Sequence, residues 1–180
     1  LDFDTWAQMG NKGWSYDDIL PLYKKMENFK GKKSKLRGIG GPLNINIVND
    51  DNPLYEAIFS AGKLSNLSRN YDYNGDCQEG LAFSQTTIDN GRRISSEFAY
   101  LRPIYKRKNF YLKTDTLVMN LIFKNKKCIG VKVKNQNKIF NYFANKEVVL
   151  SAGSINTPQI LELSGIGQKS IIQKNEINLV

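Results

Sequence analysis

The chain has 180 residues, 41% of them hydrophobic, with 26 Lys and Arg against 17 Asp and Glu, a net charge of +9 and no histidine. That length and apolar content suffice for an ordinary core, while no run approaches the roughly 20 apolar residues of a bilayer span. Without histidine there is no Ser–His or Cys–His nucleophile pair, no HExxH zinc site and no imidazole base, and no convincing constellation of Asp, Glu, Lys, Tyr or Cys replaces them.

The opening Leu1-Asp2-Phe3-Asp4-Thr5-Trp6 is acidic and aromatic rather than basic and then apolar, so no signal peptide is expected. The missing initiator methionine makes a fragment of a longer chain the expected reading. Ser15, with Asp17 and Asp18 behind it, predicts a helix start, and Ile19, Leu22, Tyr23 and Met26 recur at the spacing of a buried helical face. Pro21 is expected in the tolerant first turn.

Lys24, Lys25, Lys30, Lys32, Lys33, Lys35 and Arg37 then crowd one stretch. A contact with nucleic acid or an anionic membrane is one reading, and a solvated, glycine-broken loop is the other. The second is favoured because no nucleic-acid motif accompanies the charge. Gly38-Ile39-Gly40-Gly41 does not read as a phosphate loop: no apolar strand leads in, and residues 42–47 lead out as a strand rather than a helix.

Asn52-Pro53 opens a second helix through Leu64, with Leu54, Ile58, Ala61 and Leu64 as its expected inward stripe. Asn66-Leu67-Ser68 is a glycosylation sequon close to chance in an Asn-rich chain, and Cys77 and Cys128 are too few for a metal site or a disulfide framework. Asp72-Tyr73-Asn74-Gly75 predicts a turn through positive φ, residues 83–88 a strand, and Ser95 or Ser96 a helix cap, with Pro103 ending that helix.

From Asn109 the period changes to that of short strands, at residues 110–112, 117–123, 129–133 and 139–143, joined by Lys/Asn/Gly turns. This is an antiparallel meander. Val148, Val149 and Leu150 follow as a strand buried on both faces, ending in the small residues Ser151, Ala152 and Gly153. Thr157 before Pro158 predicts a capped short helix, Ile160, Leu161 and Ser164 share its one side, Gly165 stops it, and Ile171 and Ile172 begin another. The fold class is mixed α/β. Residues alone leave the 146–167 unit with two readings: a generic α/β junction, or a strand end in contact with a cofactor.

Gly153, Ser154, Thr157, Pro158, Ile160, Leu161, Ser164, Gly165, Ile166 and Gly167 resemble, in order and spacing, the second signature of the glucose–methanol–choline (GMC) flavoprotein oxidoreductases. Asp4-Thr5-Trp6-Ala7, Gly10 to Tyr16, Leu20-Pro21, Asp72 to Gly75, Gln85-Thr86-Thr87, Gly91-Arg92-Arg93, Tyr100 to Pro103 and Asn109-Phe110 fall in family order too, most like the animal branch that includes insect glucose dehydrogenases.

The resemblance implies the middle portion of a two-domain FAD enzyme: residues 1–43 after the flavin lid on the FAD-domain side, 44–106 a partial substrate domain, and 107–180 a partial FAD-binding α/β domain with its meander. It implies FAD as cofactor, with Val118 at the position whose backbone meets the adenine and Ser151, Ala152 and Gly153 beside the adenosine half. Val118 also reads as plain strand core. The expected partners are a small alcohol or sugar and an electron acceptor, with no nucleic acid and no membrane span. No G-x-G-x-x-G fingerprint and no catalytic residue lie in residues 1–180, so this stretch by itself is expected to be inactive. The alternatives are a catalytically dead remnant of the family and a basic nucleic-acid-binding module.

Overall fold

The computed structural model describes residues 1–48 and 51–180. Contacts divide the chain into two units, Leu1–Phe110 and Tyr111–Val180.

The first unit begins with a helix that the sequence reading did not foresee, α1 (Asp2–Gln8), whose positive end carries Asp2 and Asp4. Phe3 meets the rings of Trp6 and Tyr23 edge-on at 5.5 and 6.0 Å, and Asp4 accepts a hydrogen bond from the Tyr16 N–H at 3.0 Å. Helix α2 (Tyr16–Met26) starts at Ser15 with a full capping box: Ser15 Oγ accepts from the Asp18 N–H, and the Asp18 carboxylate accepts from the Ser15 N–H. Pro21 lies in the second turn, not the first, because the helix starts at Tyr16. Of the expected buried face, Ile19 is buried, while Leu22 and Tyr23 are each more than half exposed.

That strand, β1 (Glu27–Phe29), runs parallel to β2 (Leu43–Ile47), which pairs antiparallel with β3 (Gln85–Thr86). The strand expected at 83–88 is broken at Thr87, where the chain changes partner: β4 (Ile88–Asp89) pairs instead with β5 (Arg92–Arg93). Their two-residue turn, Asn90-Gly91, has φ of 49° and 71°, the combination that suits the twist of a tight hairpin. The 72–75 turn forms, closed by the Gly75 N–H on the Asp72 carbonyl, but neither Asn74 nor Gly75 takes a positive φ.

Helix α3 (Pro53–Leu64) has the expected bounds, and the Asn52 side chain caps the Leu54 N–H at 3.0 Å. Its inward stripe is a different one. Tyr55 and Phe59 close on Phe83 with ring centroids 5.2 Å away, and buried Gly62 lies against Leu81, while Leu54 and Leu64 are 63% and 88% exposed. Both stripes have helical spacing, and the aromatic one wins because Phe83 covers it. Ser95 is the cap of the next segment, accepting from the Phe98 N–H at 3.1 Å. That segment is one π-helical turn (Glu97–Leu101) running into a 3₁₀ turn (Arg102–Ile104), so Pro103 lies inside it rather than ending it. Tyr105 donates to Glu97 at 2.9 Å, and the carboxylate holds the phenol pKa above its ordinary value.

In the second unit, β6 (Thr116–Lys124), β7 (Lys127–Asn135) and β8 (Lys138–Phe143) form the expected antiparallel meander. Asn125 and Lys126 turn the first hairpin with φ of 49° and 62°. Residues 110–112 pair with no described strand and form none themselves, and Tyr111 is 82% exposed. Buried Val133 and Leu121 centre the core, with Ile160 from α4 (Gly153–Leu163) and Ile172 from α5 (Lys169–Lys174). Gly165 stops α4 as expected: at φ 87° it sends its N–H to Glu162 and that of Ile166 to Leu161, a Schellman end.

Ser164 joins this helix to the sheet. Its buried hydroxyl donates to the Ile160 carbonyl at 2.5 Å and accepts from the Leu121 N–H of edge strand β6 at 2.8 Å. Ser164→Ala strands that buried N–H, so unfolding in urea should show a loss of about 1–3 kcal/mol; a loss below about 0.5 kcal/mol would mean the contact carries no stability.

Candidate functional site

Each unit has one candidate site: the start of α4 in the second and a cavity in the first. In the second unit, Glu147 to Leu150 form no strand. Val148 and Leu150 are half-buried and Val149 is 77% exposed, which corrects the expectation of a strand buried on both faces. A segment of strand-like composition becomes a strand only against a partner, and none of the described strands pairs with this one.

The small residues that follow make a sharp entry into α4. Ser151 is exposed, Ala152 is half-buried at the cap position, and Gly153 is the first helical residue, with φ of 89°. The helix therefore starts four residues before Thr157, which corrects the expected cap. The Thr157 hydroxyl instead accepts from the Ala152 N–H at 3.0 Å, fastening the turn from inside the helix. Pro158 falls within the helix.

This helix end is electrostatically open. The cap residue Ala152 has no side chain that can cap the helix, and no acidic residue stands in the first turn, so apart from the Thr157 hydroxyl on the Ala152 N–H nothing offsets the partial positive charge there among the described residues. A Cβ built on Gly153 meets no described atom within 4 Å. Small side chains, free space and an uncapped helix end suit a polar, nucleotide-like group, and on that observation these residues fit the adenosine half of FAD.

Val118 lies on β6 opposite Val133, half-buried, and opens a bulge in which Met119 is the extra residue before Asn120. Bulges re-aim backbone next to functional sites. Ser151, Ala152 and Gly153 are contiguous at the start of α4, and Val118 stands on the strand to which the far end of α4 is fastened by Ser164. Gly153 therefore opens a helix that packs on the strand carrying Val118, while Ser151 and Ala152 precede that helix.

In the first unit a cavity of about 1110 Å³ opens between α2, the β1–β2 strands and residues 73–79. Tyr16, Tyr23, Met26, Leu43 and Ile45 make its apolar side. Asn74, Asp76, Gln78, Glu79, Gln85 and Thr86 make its polar side, the mixture of a small-molecule site. Arg37, at its edge, is only 5% exposed. The expectation from sequence, a solvated basic loop, therefore fails at this residue.

Among the described residues no helix is long and apolar enough to cross a membrane, and no group of His, Cys, Asp and Glu gathers to hold a metal.

The chain is similar to known proteins over nearly its whole length. The family model described as GMC oxidoreductase matches residues 1–178. The oxygen-dependent choline dehydrogenase of Brucella ovis is 40% identical over 99% of this chain, and that of Photobacterium profundum is 39% identical over 96%. The chain spans about a third of the length of these curated relatives, 32% and 31%. Among solved structures, a FAD-dependent oxidoreductase from Chaetomium thermophilum superposes with a TM-score of 0.89 at 28% identity, covering 99% of this chain and 33% of that one. Pyridoxine 4-oxidase from Mesorbium loti gives 0.88 at 27% identity, covering 99% and 36%. None of these is an insect glucose dehydrogenase, so the finer branch expected from the sequence gains no support from them.

Proposed function

The chain belongs to the GMC oxidoreductase family, and on that premise we propose that it is the part of a FAD-dependent oxidoreductase that cradles the adenosine half of the cofactor and walls the substrate cavity. The observation that carries this reading is the uncapped start of α4 at Gly153, with open space beside it, on the residues that match the family signature. Ser151, Ala152 and Gly153 would hold the cofactor by close backbone approach, and Val118 would present strand backbone to the adenine. When bound, FAD supplies the redox chemistry by accepting hydride from a carbinol carbon. The chain's own part is to bind, to orient and to exclude water. It contributes no imidazole base, since none of its 180 residues is a histidine.

The substrate class is a small molecule with a CH–OH group, an alcohol or a sugar. Choline and pyridoxine, named for the relatives above, both carry such a hydroxyl. The electron acceptor completes the partner set. Residues 1–43 and 107–180 would serve the FAD side and residues 44–106 the substrate side. Neither a dead remnant nor a nucleic-acid module has an observation in its favour, and the basic stretch is interrupted by the buried Arg37.

A chimera tests this reading. Substituting this chain for the matching third of the Brucella ovis protein should give a polypeptide whose bound flavin bleaches anaerobically on adding choline. A folded, flavin-loaded chimera that no alcohol or sugar reduces would overturn the assignment of the reaction.

A further inference from the structure

Arg37 is a buried cation at the edge of the first unit's cavity, and none of the family signature accounts for it. Its guanidinium stacks on the Phe29 ring, 3.7 Å from the centroid. One terminal nitrogen donates to Glu27 at 2.6 Å. The other donates to Asp72 at 2.9 Å and to Gln85 at 3.1 Å. Its Nε is buried without a hydrogen-bond partner among the described residues. Each partner is itself tied to backbone or to another partner. The second Glu27 oxygen accepts from the Gly38 N–H at 2.7 Å. Asp72 accepts from Gln85 Nε2 at 2.8 Å and from the Asn74 N–H at 3.2 Å, and Asn74 Nδ2 donates to Gln85 at 3.0 Å. The Tyr73 hydroxyl accepts from the Gln85 N–H at 2.8 Å.

The arrangement joins three stretches that are distant in sequence: β1, the 72–75 turn and β3. The last two, with residues 76–79, form the polar wall of the cavity. Burying a charge among acidic partners is a poor source of stability, and its attested use is to specify one arrangement over others. Lysine would not substitute: a single ammonium cannot reach in two directions while stacking flat on an aromatic ring.

We propose that Arg37 is a positioning residue that locks the 72–79 wall of the cavity onto β1 and β3 through its forked contacts with Glu27, Asp72 and Gln85. The wall is a loop with little regular structure, and without the fork the 72–75 turn loses its link to β1. The inference deepens the cavity's assignment to substrate, but its test reads geometry alone and stands or falls independently of that assignment.

The experiment is hydrogen–deuterium exchange on the 180-residue chain, wild type against Arg37→Lys and Arg37→Met, with far-UV circular dichroism to establish folding. In both variants amides across residues 72–86 should exchange about tenfold faster or more, while α3 in the same unit and the β6–β7 hairpin keep wild-type protection. Wild-type protection of the wall in Arg37→Lys would overturn the proposal, because charge without the fork would then suffice. Equal acceleration in α3 and the wall would also overturn it, by showing that Arg37 serves only the stability of the whole unit. If neither Arg37 variant folds, Asp72→Asn weakens one arm of the fork and keeps Arg37, so it reads the wall separately. Faster exchange at 72–86 with α3 still protected would then support the lock, and unchanged exchange at 72–86 would finish the idea.

Discussion

Expressed by itself, the 180-residue chain should purify colourless and show neither oxidase nor dehydrogenase activity. Two independent physical reasons lead there. The pyrophosphate of a dinucleotide is normally held by a glycine turn at a helix N-terminus directly after a strand, and residues 1–180 contain no G-x-G-x-x-G. On the proposed reading the start of α4 would receive only part of the cofactor, and residues 147–150 leading into it have no strand beside them among the described residues. Proton removal from a hydroxyl also needs a base near neutral pKa, and the chain has no histidine. Flavin copurifying at near-stoichiometric level, or turnover of any alcohol after FAD is added, would contradict this expectation.

The second large effect concerns Gly153, read in the chimera with the Brucella ovis protein. Its φ of 89° strains any residue with a Cβ, and the free space beside it is the space assigned above to the cofactor. Gly153→Val should weaken FAD binding by roughly ten- to hundredfold, the equivalent of about 1–3 kcal/mol of overpacking on the bound state. Gly153→Ala carries the same backbone strain with less bulk, so it should lose clearly less affinity. The contrast is Val118→Ala: β6 keeps its backbone, only core packing suffers, and the melting temperature should fall more than FAD affinity. Dissociation constants and melting temperatures for the three variants separate the cases. If valine and alanine at 153 lower stability alike and leave FAD affinity unchanged, Gly153 serves the helix start and not the cofactor.

The helices with true caps were legible from local signals in the sequence. Ser15 and Asn52 each place a side-chain oxygen on an orphan N–H, and α2 and α3 begin where those residues stand. The meander was legible too, because its strands pair with their neighbours and close through two-residue turns. What was not legible depended on distant partners. The stripe of α3 that faces inward was chosen by Phe83, and the strand at 83–88 was split by a change of partner at Thr87. Val148 to Leu150 have the composition of a central strand but no pairing strand among the described residues. Thr157 illustrates a subtler miss: a threonine before a proline is a good cap, yet here its hydroxyl holds the Ala152 N–H from the second turn. Of the candidate site, the small residues at 151–153 could be read from sequence. The burial of Arg37 could not, because it follows from Glu27 and Asp72 converging from either side.

The flavin content of the chimera tests the central claim most directly. It should be measured after gel filtration in excess FAD, with circular dichroism establishing that the polypeptide is folded. Near-stoichiometric FAD is expected in the chimera carrying this chain, with a large loss in its Gly153→Val form. A folded chimera that elutes without flavin, under conditions where the Brucella ovis protein retains it, would contradict the claim that these residues complete a FAD cradle.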